Sequence, residues 1–472
     1  MPNRLCSGRP DPNIADRVTS CTPVLRDSVT CTYGIVTLLS WSITGTRVSR
    51  LPPGVFYRTG KVSLHISIHK GHKNLAEQTM PEDDKVPALK AKGNDLLKSG
   101  DLAGAVGAYR EAIVACVAAH PELAALHSNL AQALLKQGED KEALAEAEAC
   151  ISAKPEWHKA HYRKGDALFA LHRFEDALAA YQDALVLAPK DAEITRAAKL
   201  TEEAVKGGIW IRQLLPGRDI AISSSSPEEE LIFGAAKQMK NFIYLVGDAS
   251  SRECYVVDPC WDPRGIVAFA ASQKMKVVGA FPTHYHFDHA GGSIPPPFVA
   301  MVYGPMSKPG ARLPGLREMA RDHGASLYCH ALERERLAKQ CDVGLDELQP
   351  LEQGSTLPLG TAGHLEVLHT PGHSSGSVCV RVNTGAPGSD GTRTLSVFTG
   401  DTVFPGSCGR LDLPDSDKGA MYDSLQKLRT LADDIQVYPG HAYSGDKSTI
   451  GQEKVRGLLR PFSKAEWLSM HG

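Results

Sequence analysis

The stretch FPTHYHFDHAGG, Phe281 to Gly292, places His284, His286, Asp288 and His289 within six positions, directly after the apolar run MKVVGAF. An extended chain turns residues of one parity to one side, so His284, His286 and Asp288 are expected to converge while His289 points elsewhere. That arrangement suits two metal ions better than one. Imidazole with carboxylate favours zinc or iron over the hard, oxygen-seeking cations, and a site that keeps an open position is built for chemistry. A lone histidine is most often only hydrogen-bonded, whereas H-x-H-x-D-H behind an apolar run is a metal-site pattern.

One cluster cannot complete two coordination shells, so further ligands are expected from other strand ends. LEVLHTPGHSSGS presents His373, TLSVFTGD presents Asp401 and DIQVYPGH presents His441, each after a short β-branched run closed by Gly or Pro. Four strand ends thus deliver ligand-type residues to one rim.

The motifs H-x-H-x-D-H, T-P-G-H, G-D-T and Y-P-G-H, in that order, resemble the metallo-β-lactamase superfamily, most closely its glyoxalase II-like branch, from about Gly207 onward. QMKNFIYLVGD and CYVVDP, with Asn241 and Asp258, are similar to that family's opening strands. The resemblance implies an αββα sandwich in which His284, His286 and His373 hold one metal, Asp288, His289 and His441 the second, and Asp401 bridges them. It implies two divalent metal ions, zinc first, with iron or manganese as alternatives. Such a pair lowers the pKa of bound water, gives hydroxide at neutral pH and polarises the carbonyl under attack. Asp288 is then also an acid/base candidate. His369, just before T-P-G-H, has no ligand counterpart. True β-lactamases carry cysteine where Asp401 stands, which argues against antibiotic hydrolysis.

In the same branch the basic residue of a C-G-R/K stretch meets the carboxylate of a glutathione conjugate, and Arg410 in GSCGRLDL takes that place. Relatives continue past the last histidine into a helical glutathione-binding domain, whereas 31 residues follow His441, so the expected substrates widen to thioesters and related esters. Two other readings stay open. STIGQEK resembles the persulfide dioxygenases, which would use one iron on His284, His373 and Asp401; a repeat-based adaptor with a vestigial hydrolase domain is the other. Residues 293–316 contain six prolines and are expected to form an irregular lip rather than a helix or strand.

The elements that carry this site occupy about half of 472 residues, enough chain for more than one core. A net charge of −2 without a Lys/Arg run argues against nucleic acid as a partner, and scattered cysteines without a CxxC pair fit a reducing, cytoplasmic setting. YGIVTLLSW is too short to span a bilayer, so no membrane partner is expected. Residues 1–80 read as a disordered extension or an organellar transit peptide for mitochondrion or plastid, with Met80 as an alternative start.

From 86 to 206 small residues and prolines recur at tetratricopeptide (TPR) spacing: Gly93, Ala105 and Tyr109, then Gly138, Ala143 and Pro155, then Gly165, Ala177, Tyr181 and Pro189. Three repeats and a capping helix are expected, then a catalytic domain from 207 to 472. Lys90 and Asn94, Asn129, and Lys159 and Arg163 fall on the first helix of successive repeats, the pairs at i and i+4. A groove lined by them suits a terminal carboxylate. They resemble, residue by residue, the dicarboxylate clamp of TPR co-chaperones, which implies binding of the C-terminal Glu-Glu-Val-Asp of cytosolic heat-shock chaperones.

Overall fold

The computed structural model of the chain describes residues 82–116 and 120–470, and the expectation for residues 1–80 lies outside them. Seven helices come first: α1 (Glu82–Ser99), α2 (Leu102–Ala115), α3 (Leu123–Gln137), α4 (Asp140–Ala153), α5 (His158–Ala170), α6 (Phe174–Leu187) and α7 (Ala192–Lys206). They pack as antiparallel pairs because a missing side chain on one helix admits a ring from the next. A Cβ on Gly93 would lie 2.5 Å from the Tyr109 ring, and one on Gly165 would lie 2.6 Å from Tyr181. Both tyrosines are fully buried, and their hydroxyls donate to Asn94 Oδ1 (2.8 Å) and Asp166 Oδ1 (2.7 Å). Three helix pairs and the cap α7 make the TPR array.

The rest is a four-layer sandwich. Strands β1 (Ile209–Leu214), β2 (Ile243–Asp248), β3 (Glu253–Val257) and β4 (Lys276–Phe281) run side by side. After the small pair β5 (Gly292–Ser293) and β6 (Arg312–Leu313), strands β7 (Ser326–His330) and β8 (Leu348–Leu351) complete the first sheet. The second sheet holds β9 (Thr356–Leu359), β10 (Gly363–His369), β11 (Val378–Thr384), β12 (Thr394–Gly400), β13 (Gln436–Pro439) and β14 (Ser448–Thr449) in unbroken order. Alternation decides the layers. Along β2, Tyr244 and Val246 join the core between the sheets, while Ile243 and Leu245 face an outer core with helices α8 (Pro227–Met239) and α9 (Pro263–Ser272). Val378, Val380 and Val382 of β11 likewise face inward, and Cys379 packs outward with Met421 and Leu425.

The proline-rich segment departs from expectation. Residues Pro296–Tyr303 form helix α11, because Pro296 and Pro297 occupy its first turn, where no backbone N–H is required. Prolines at that position start a helix instead of preventing one.

The repeats dock directly on the sandwich. Lys274, in the turn between α9 and β4 at φ +54°, sends its Nζ to Asp166 Oδ1 (3.1 Å) and the Tyr181 hydroxyl (2.7 Å), with the Phe169 ring centre 4.2 Å away. Arg196 of α7 donates to the Ser272 carbonyl at 2.7 Å. Lys274→Met removes the cation from this contact and leaves Asp166 partly unsatisfied. The expected outcome is faster amide exchange across α5 and α6, with local opening made easier by about 1–3 kcal/mol; hydrogen-exchange rates equal to wild type there would mean the contact holds nothing together.

Candidate metal centre

Beyond β4 the chain does not stay extended. Residues Phe287–Ala290 form a single helical turn, α10, with His286 just ahead of it. This turn corrects the parity expectation: it brings His289 Nε2 within 3.5 Å of Asp288 Oδ2, so His289 joins the cluster. The turn between β10 and β11 supplies His373, the end of β12 supplies Asp401 and the end of β13 supplies His441. A backbone bond from Phe242 N to Gly440 O (2.8 Å) ties the two sheets together at this rim. Gly440 is needed there, since a Cβ would lie 2.5 Å from Asp401 Oδ1.

The seven side chains form two groups. His284 Nε2 and His373 Nε2 each lie 2.9 Å from His286 Nδ1. His289 Nε2 and His441 Nε2 are 3.2 Å apart, each 3.5 Å from Asp288 Oδ2. Asp401 stands between them, its Oδ2 3.4 Å from His373 Nε2 and its Oδ1 3.4 Å from His289 Nε2 and 3.6 Å from His441 Nε2. Six of the seven are buried, and His286 is half-buried.

The outward nitrogens fix which atoms point inward. His373 Nδ1 donates to the Arg410 carbonyl and His441 Nδ1 to the Met239 carbonyl, both at 2.8 Å, and His289 Nδ1 donates to Asp258 Oδ2 at 3.0 Å. Their Nε2 lone pairs therefore face carboxylate oxygens, acceptor against acceptor. Asp401 Oδ1 is buried and has no hydrogen-bond partner among the described residues. Such a set repels itself unless positive charge sits inside it. In the bare chain protons supply some: burial opposes charge on His289, but Asp258, Asp288 and Asp401 outweigh it and lift its pKa to about 10. Burial and then His373 push His286 down to about 4, and burial with the neighbouring histidines holds His284 well below its usual range. Three imidazoles in one group, and two imidazoles with two carboxylates in the other, are donors for a divalent cation in each. Zinc–nitrogen bonds of about 2.0–2.1 Å put neighbouring ligand atoms roughly 3.3 Å apart, close to the separations here.

Residues to which the sequence assigned no role hold the donors in place. Asp258, at φ +56°, accepts from the Thr283 backbone N–H (2.6 Å) and hydroxyl (3.1 Å) as well as from His289. Asn241 Nδ2 donates to Asp288 Oδ2 at 3.0 Å, while its Oδ1 accepts from Trp261 Nε1 at 3.1 Å. Apart from the resemblance of CYVVDP to the family's opening strands, the sequence signal for Asp258 was a carboxylate directly after the apolar run CYVV.

A cavity of about 620 Å³ opens over the cluster. Arg410 stands at its rim, exposed, its Nε and Nη2 bonded to Asp412 at 2.9 and 2.8 Å. His369 lies apart from the cluster, stacked on His330 with ring centres 4.2 Å apart. In the repeats, Asn129 Nδ2 donates to Asn94 Oδ1 at 3.1 Å, and Lys90 pairs with Glu122. Arg163 reaches Asp166 at 3.2 Å and keeps a buried Nε without a hydrogen-bond partner among the described residues, and Lys159 is exposed one turn earlier on α5.

A two-sheet sandwich carrying histidines and aspartates at one rim defines a metal-dependent hydrolase fold behind a TPR array. The family description "Metallo-beta-lactamase superfamily" matches residues 238–386 and 394–441, and "Tetratricopeptide repeat" matches 90–156 and 158–191. The chain is 31% identical over 214 residues to the cytoplasmic hydroxyacylglutathione hydrolase of Arabidopsis thaliana, covering 45% of this chain and 68% of that one. It is 30% identical over 204 residues to the hydroxyacylglutathione hydrolase of Synechococcus sp., covering 43% of this chain and 65% of the relative, just under two thirds. The solved structure of ETHE1 from Myxococcus xanthus aligns with TM-score 0.39 and 22% identity, over 56% of this chain and 89% of that one. The chain belongs to the metallo-beta-lactamase superfamily, on its glyoxalase II-like branch.

Asp258→Asn tests the support around the donors. Losing one acceptor frees the His289 ring, so metal affinity is expected to fall about 10- to 100-fold with the fold retained. Competition against a chromophoric chelator measures it, and wild-type affinity in the variant would remove Asp258 from the support.

Proposed function

We propose that the chain is a binuclear metal-dependent hydrolase of thioesters or related esters, with repeats that hold the C-terminal peptide of a partner. The observation that carries the first half is Asp401, whose two carboxylate oxygens each face a different group of histidines. When bound, two divalent ions, zinc by the donor set, polarise a carbonyl and ready water for attack at neutral pH. The remaining work falls to the chain. Asp288, held by Asn241 and facing the cavity, accepts a proton from the attacking water and returns it to the leaving group. Arg410 keeps Nη1 outside its pair with Asp412 and meets an anionic group at the rim.

Purified protein is expected to hold close to two metal ions per chain, and His286→Ala or Asp401→Ala to abolish ester turnover while the repeats stay helical. Metal analysis, turnover and circular dichroism measure this. A single iron per chain, with oxygen consumed on addition of glutathione persulfide, would overturn hydrolysis in favour of a dioxygenase on His284, His373 and Asp401.

The second half rests on five side chains along the first helices of the repeats. Lys90, Asn94, Asn129, Lys159 and Arg163 combine cations with amides, and among the described residues no carboxylate pairs with Lys159. A terminal carboxylate gains about 1.5–3 kcal/mol from each charge-assisted bond. Lys159→Ala or Arg163→Ala is therefore expected to weaken binding of a peptide ending in Glu-Glu-Val-Asp, the tail of cytosolic heat-shock chaperones, by at least tenfold. Calorimetry against the same peptide amidated at its C-terminus decides: equal binding of the two forms removes the clamp.

A further inference from the structure

The cavity over the metal centre has a polar floor and apolar walls. Those walls come from Met239, Tyr285, Phe287, Phe298, Phe404 and Tyr443. Phe287 and Phe298 lie 5.2 Å apart, Phe404 meets Tyr443 edge-on at 5.7 Å, and Tyr443 stacks on His441 at 4.4 Å. Phe298 stands in the first turns of α11, so the proline-rich lip presents an aromatic ring to the opening.

Outside the metal cluster the polar side chains lining the cavity are few: Arg410, Gln340, Ser407 and Cys408, with the hydroxyl-bearing Tyr285 and Tyr443. Among the described residues Arg410 is the one arginine or lysine lining the cavity, and Asp412 already holds two of its nitrogens. Gln340 directs its amide nitrogen at the Tyr285 and Gly291 carbonyls, at 2.8 and 2.9 Å. A hydroxylated or carboxylated acyl group seated against the aromatic walls would leave water for few matching donors. An alkyl chain gains instead, by roughly fourfold in affinity for each methylene buried, and 620 Å³ lies within the range that holds a drug-sized ligand.

We infer that the acyl group of the substrate is apolar, a medium-length alkyl chain or an aryl ring, seated against Phe287, Phe298 and Phe404 with its carbonyl toward the metal ligands. This rests on the hydrolase reading above and narrows its substrate class. Water adds to the acyl carbon, the carbon–sulfur or carbon–oxygen bond breaks, and the products are the free carboxylate and the thiol or alcohol, with no change of oxidation state.

The test uses the full, metal-loaded chain and S-acyl-N-acetylcysteamine thioesters from acetyl to octanoyl, with benzoyl. The expected kcat/KM rises at least thirtyfold from acetyl to octanoyl, and Phe298→Asp brings that ratio within about threefold. The non-hydrolysable thioethers S-ethyl- and S-octyl-N-acetylcysteamine are titrated in parallel by calorimetry, with tighter octyl binding expected. Equal turnover of acetyl and octanoyl, or faster turnover of a lactoylglutathione thioester than of either, overturns the inference and leaves hydrolysis standing. Tight octyl binding with no thioester hydrolysed supports the apolar seat and overturns hydrolysis instead. Equal binding of the two thioethers overturns the seat whatever the turnover.

Discussion

Five imidazoles and two carboxylates crowded at one largely buried rim are the constraint on which the catalytic domain turns. Three Nε2 lone pairs face carboxylate oxygens within 3.6 Å, and their outward nitrogens are fixed by two backbone carbonyls and Asp258. An assembly that disfavours itself electrostatically has to be imposed by everything around it. Hence the rim is stitched by the Phe242–Gly440 bond, Asp258 sits in the left-handed region, and Gly440 lacks a side chain where Asp401 needs the room.

Much of this was legible in the sequence because chemistry-bearing residues followed short apolar runs. His284, His373, Asp401 and His441 each stand just past a strand, where period-two burial gives way to a turn, and the two-sheet sandwich follows from those runs. The geometry inside the first motif was not legible. One helical turn at Phe287–Ala290 sets the side of His289, and a turn that short leaves no periodic trace. Asn241 and Asp258 were visible as residues but not as supports, since their partners are tens of residues away in sequence and are brought close only by the paired strands.

The repeats were legible for a different reason. Gly93 and Gly165 must admit the rings of Tyr109 and Tyr181, so small and large residues recur in fixed phase. The lip shows the limit of composition: the same prolines that suggest irregular chain are well placed to begin a helix, and the deciding variable is their position in the first turn. The contact through Lys274 left no signal at all, being a lysine in an ordinary polar turn until Asp166 and Tyr181 are folded opposite it.

That lysine also settles what kind of connection joins the two halves. Only Gly207 and Gly208 separate α7 from β1, and the Gly208 carbonyl is tied back to Ala249 N at 2.9 Å. There is no swinging arm between repeats and catalytic domain. On the proposed function, a ligand held by the repeats would be offered to the cavity at one distance and one angle, so the local concentration it experiences there would be either very high or nil, with none of the averaging that a flexible tether provides. Cargo whose reactive group missed that bearing would gain nothing from capture, and the docked geometry would then act as a selection rule on reach.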